Sequence, residues 1–139
     1  MGLDMYLNGR KFFWKNFDNP ELTPKEDVFP LKEHILELGY WRKHPNLHGY
    51  IVQSFADGVD ECQPIELTRD DLLTIIAVVK SGSLPHTEGF FFGTSDGSER
   101  DADIAILEKA VAWLDSTPKK APEARLPRES RDVFYQASW

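Results

Sequence analysis

Leu3-Asp4-Met5-Tyr6-Leu7-Asn8-Gly9-Arg10-Lys11-Phe12-Phe13-Trp14 is the stretch on which the reading of the fold turns. Leu3, Met5 and Leu7 recur with the two-residue period of a strand that buries one face. Asn8-Gly9 then stands between two apolar runs, and both residues tolerate the positive φ of a type I′ turn. The reading is a hairpin with strands at about 3–7 and 10–15. At the other end, Asp132-Val133-Phe134-Tyr135-Gln136-Ala137 alternates in the same way and reads as a terminal strand added to a sheet. Gly89-Phe90-Phe91-Phe92-Gly93, an apolar run bounded by glycines, has the pattern of a central strand covered on both faces.

Between these strands the period changes. Asn16 to Pro30 holds three prolines and reads as a surface excursion. Pro30 is placed like a first-turn proline, and Leu31, Ile35 and Leu38 follow at helical spacing, which predicts a helix over about 31–43. His44-Pro45 interrupts it. A second helix can start at Pro45 with Leu47, Ile51 and Phe55 on one face, although Tyr50 to Phe55 also fits a strand. Pro64 to Leu67 is a short strand candidate, and Thr68 with Asp70 and Asp71 opens a helix that ends at Ser81-Gly82. Ile104, Leu107, Val111 and Leu114 mark a last helix over about 100–116. The expected fold is a single α+β domain over residues 1–139, an antiparallel or mixed sheet with about three to four helices packed on it. Residues 118–131 form a Pro-rich basic linker to the C-terminal strand.

A chain of 139 residues with 41% hydrophobic residues can bury one core. No run approaches the roughly 20 apolar residues of a membrane span. A lone cysteine, Cys62, fits a reducing compartment, so the expected location is the cytoplasm. The net charge of −7 argues against direct nucleic-acid binding. It is uneven: Lys119 to Arg131 carries +3 and the remainder −10, so the linker is expected to lie across its own acidic body.

Tyr40-Trp41-Arg42-Lys43-His44 with His48 combines ring faces, cations and an imidazole, a group able to grip an anionic or aromatic ligand. The same residues also fit a helix C-terminus whose cations offset the dipole and whose tryptophan enters the core. His86 is a further candidate at a sheet edge. His44 and His48 lack the glutamate of a metal-hydrolase helix and a third ligand, so no metal is expected. Gly93 to Asp103 lacks the Gly-Lys-Ser/Thr ending of a phosphate loop, and its acids read as helix caps. No cofactor or catalytic motif is implied.

The opening Met1-Gly2-Leu3-Asp4-Met5-Tyr6-Leu7, the Tyr40-Trp41-Arg42-Lys43 block, Gly89-Phe90-Phe91-Phe92-Gly93-Thr94 and the ending Phe134-Tyr135-Gln136-Ala137-Ser138-Trp139 resemble a group of short phage and prophage proteins. The resemblance touches the beginning, middle and end of the chain and transfers no catalytic residue. It implies a phage gene and a site of action inside the infected bacterial cell. Joined to the acidic charge, it leads to an expected small accessory protein. Such a protein would bind and modulate a host protein, a defence or nucleic-acid-processing system with a basic surface. The alternative is a small ligand-binding protein or enzyme acting on a nucleotide or other anion. Tyr40, Trp41, Arg42, Lys43, His48 and His86 are the binding candidates under either reading.

Overall fold

The structure, a computed structural model, describes residues 2–15, 19–87 and 97–139. Four strands, β1 (Asp4–Phe13), β4 (Glu33–Arg42), β5 (Ile65–Leu67) and β6 (Glu129–Ser138), form a sheet in the order β4-β1-β6-β5, every pair antiparallel. A second ribbon pairs β2 (Lys25–Glu26) with β3 (Phe29–Pro30). Among the described residues three α-helices, α1 (Pro45–Phe55), α2 (Arg69–Ser81) and α3 (Arg100–Asp115), complete an α+β domain with one core. Among the described residues no helix is long and apolar enough to cross a membrane.

All three helices pack on one face of the sheet. Met5 and Leu7 of β1, Trp41 of β4, Ile65 and Leu67 of β5, and Val133, Tyr135 and Ala137 of β6 join Leu47, Ile51, Leu72, Ile75, Leu107 and Ala110 of the helices in a single buried cluster. The strand period of two sends their neighbours, Tyr6, Arg10, Tyr40, Asp132, Phe134 and Gln136, to the other face, where none is buried. The helix starts obey local chemistry. Thr68 Oγ1 accepts from the Asp71 N–H at 3.1 Å while Asp71 Oδ2 accepts from the Thr68 N–H at 2.9 Å, a reciprocal capping box, and Gly82 closes α2 in the left-handed conformation.

Two sequence expectations are corrected. Asn8-Gly9 is no turn: β1 runs unbroken from Asp4 to Phe13 through both residues. Gly9 is needed for close approach, since a Cβ there would lie 2.8 Å from the Trp113 ring and 2.9 Å from Leu38 Cδ1. The segment expected as a helix over 31–43 is instead the strand β4, paired with β1 from Asp4↔Arg42 to Phe12↔Glu33. The register slips between Leu7↔Gly39 and Asn8↔Glu37, so Leu38 is an extra residue in β4. The slip brings both halves of β4 into step with β1. Leu31, Ile35 and Leu38 matched a helical period by coincidence, and Ile35 is more than half exposed at 55%.

The segment from Pro45 is a helix, as expected, and the strand alternative for Tyr50 to Phe55 falls away. The short strand at Ile65, the helices at Arg69 and Arg100, and the C-terminal strand also stand where the sequence placed them. The expected strand at 89–93 lies outside the described residues. β6 begins at Glu129, within the expected linker. There Arg131 stacks 4.9 Å from the Trp113 ring, donates to the Trp113 carbonyl at 2.7 Å and pairs with Glu129, so this end of the linker is held by the last turn of α3.

Gly9→Ala is expected to destabilise the fold by about 1–3 kcal/mol, because the added methyl must displace Trp113 or Leu38. Equilibrium urea denaturation checks this, and an unchanged midpoint would contradict the tight contact.

Candidate functional site

The Tyr40 to His48 block is contiguous in sequence but divided in space. Because β4 is a strand, Tyr40 points to the open face and Trp41 into the core. Trp41 Nε1 donates to Asp103 Oδ1 at 2.8 Å, and His44 Nε2 meets Asp103 Oδ2 at 2.7 Å, with all three side chains buried. A carboxylate only accepts, so the His44 proton in this contact sits on Nε2. Lys43 takes a positive φ of 56° to turn the chain from β4 into α1, and its N–H donates to the Leu3 carbonyl. Arg42 stays exposed, with its Nε 3.9 Å from Asp4.

His48 belongs to a second buried chain. Its Nε2 lies 2.9 Å from Asp60 Oδ2 and its Nδ1 2.5 Å from the Tyr135 hydroxyl. Asp60 accepts from Nε2–H, which leaves Nδ1 to accept the Tyr135 O–H. Burial pushes the Tyr135 phenol far above its ordinary pKa, with the Asp60 charge adding to the effect, so the hydroxyl keeps its proton. Asp60 also accepts from Trp139 Nε1 at 3.3 Å, which ties the last residue to the loop after α1. His86 is exposed beyond the end of α2, where the N–H of the next residue, Thr87, donates to Asn46 Oδ1.

The six candidates therefore do not converge. Trp41 and His48 are internal fastenings, Lys43 makes the turn into α1, and Tyr40 and Arg42 stand on the sheet's open face. Sequence reasoning missed His44 and Asp103 as partners. The signal was Asp103 itself, a carboxylate four and seven residues before buried Leu107 and Ala110 on the apolar side of α3. A cleft of about 310 Å³ lies between the start of α1, the end of α2 and the start of α3, lined by His44, Asn46, Leu84, Glu99 and Arg100. None of the six candidates is among its described lining residues.

The sheet's open face groups aromatic and charged side chains. Tyr6 and Tyr40 rings lie 5.3 Å apart, the Tyr40 hydroxyl donates to Asp4 at 2.5 Å, and Arg10 sits 5.5 Å over the Phe134 ring. The bond to Asp4 raises the Tyr40 pKa. Arg10 is bound to Asp132 through both Nε and Nη2, an attachment that raises its own pKa. Among the described strand residues, the register places Asp4, Glu33, Glu37, Glu66 and Asp132 on this face against Arg10 and Arg42. The surface thus presents aromatic rings within a net negative field.

No protein-family model, curated protein or solved structure matches the chain.

Asp103→Ala is expected to cost about 3 kcal/mol or more of stability, since it strands a buried indole N–H and a buried imidazole. Arg42→Ala should stay within roughly 0.5 kcal/mol, as an exposed residue with one long ion contact. Chemical denaturation of the two variants measures both, and equal effects would contradict the division of the cluster.

Proposed function

We propose that this chain is a phage-encoded accessory protein that binds a host protein, one with a basic, nucleic-acid-binding surface, and modulates it without catalysis. The observation that carries the reading is the open sheet face, where five carboxylates and two guanidiniums surround Tyr6, Tyr40 and Phe134. Aromatic side chains supply contact area at small entropic cost, and the unmatched carboxylates steer a basic partner and fix its orientation. Supporting it further, the imidazoles of His44 and His48 are held in buried fastenings rather than presented together in a cleft. The sequence resemblance to short phage proteins supplies the biological setting.

The test is recovery of the tagged protein from infected bacterial cells. A basic host protein should accompany it and be released by moderate salt, because surface charge pairing is screened over about 8–10 Å at physiological ionic strength. The double variant Tyr40→Ala, Glu66→Lys should melt like the parent yet lose that protein. Retention of the same partner by the folded double variant would overturn the assignment to this face.

A further inference from the structure

We propose that β4 is also a self-complementary edge through which two copies of this chain pair into a two-fold dimer, joining their sheets. This goes beyond the host-binding reading and does not depend on it. Among the described residues β4, a ten-residue strand, has a strand partner on one side only, β1. Its outer side presents a row of main-chain donors and acceptors, flanked by Ile35, Leu36 and Tyr40, all exposed. A long edge of this kind is a template for another strand unless something blocks it.

The hydrogen-bond phase identifies which residues face outward. The Phe13 N–H donates to the Lys32 carbonyl at one end of the β1-β4 pair, and the Lys43 N–H donates to the Leu3 carbonyl at the other. Counting inward by twos from both ends turns the main chain of Glu33, Ile35, Tyr40 and Arg42 away from β1. The extra residue Leu38 changes the phase, so outward positions are odd before it and even after it.

An antiparallel copy then fits in one register that satisfies both backbone and charge. Glu33 falls opposite Arg42 of the second copy, Ile35 opposite Tyr40, and the two-fold axis passes between Glu37 and Leu38. All four named residues are outward, so each cross-strand pair can exchange two main-chain bonds. Glu33 and Arg42 form an opposite-charge pair and Ile35 and Tyr40 an aromatic–β-branched pair, each occurring twice by symmetry. Without the bulge, Glu33 and Arg42 would not share a phase. The two Glu37 carboxylates meet near the axis and oppose association, which keeps the pairing weak and reversible.

Sedimentation of the full chain over a concentration series, read with the melting curve, tests the proposal. The parent is expected to pass from monomer to dimer as concentration rises. Glu33→Arg and Arg42→Glu should each weaken the dimer about tenfold or more, and the double variant Glu33→Arg, Arg42→Glu should restore it. Ile35→Pro, which removes an outward N–H while sparing the bonds to β1, should abolish it with the fold retained. Glu37→Gln should tighten it. A parent that stays monomeric up to its solubility limit overturns the proposal, as does a dimer indifferent to Ile35→Pro or to the charge reversals.

Discussion

The carboxylate of Asp103 fastens three elements that are distant in sequence. It lies in the first turn of α3, and its two oxygens hold Trp41 at the end of β4 and His44 at the entry to α1. Both donors are buried, and leaving either without an acceptor would cost about 1–3 kcal/mol, a large share of the margin by which a domain this size is stable. The position at a helix N-terminus favours the negative charge that both donors require. The strand edge, the turn at Lys43 and the start of α1 all take their places from this contact.

That fastening decides which face of the sheet the helices cover. With α1 and α3 drawn onto one face, the sheet keeps its opposite face open, and the same strand alternation that buries Trp41 exposes Tyr40. The Tyr135–His48–Asp60 chain works in the same sense at the β6 side of the sheet. Side chains that look chemically capable as a list are committed to holding the elements together. The face left over is patterned with rings and carboxylates, and it is the surface on which the proposed partner binding rests.

Elements with their own local signals were legible in the sequence. Thr68 with Asp71 marked the start of α2, Gly82 its end, Pro45 the start of α1, and the alternation from Asp132 to Ala137 the last strand. β4 was not legible, because its strand character comes from β1 and its bulge at Leu38 breaks the period of two that would have revealed it. Gly9 misled for a related reason: its lack of a side chain serves the Trp113 ring, a residue more than a hundred positions away. The candidate site was half legible. The Tyr40 to His48 block did contain two buried fastenings and one exposed ring, but their separation follows from strand geometry that the helical reading concealed. Asp103 stood in plain view on an apolar helix face and was read as a helix cap.

The most direct measurement of the central claim is native-state hydrogen exchange at the four tryptophan indole N–H groups, resolved by NMR. Trp41, buried and bound to Asp103, should exchange only through global unfolding, whereas Trp14 and Trp139, bonded at the surface, should exchange through local opening many times faster. Exchange of Trp41 at a rate matching Trp139, under conditions where the fold is intact, would contradict the claim that Asp103 fastens the sheet to the helices.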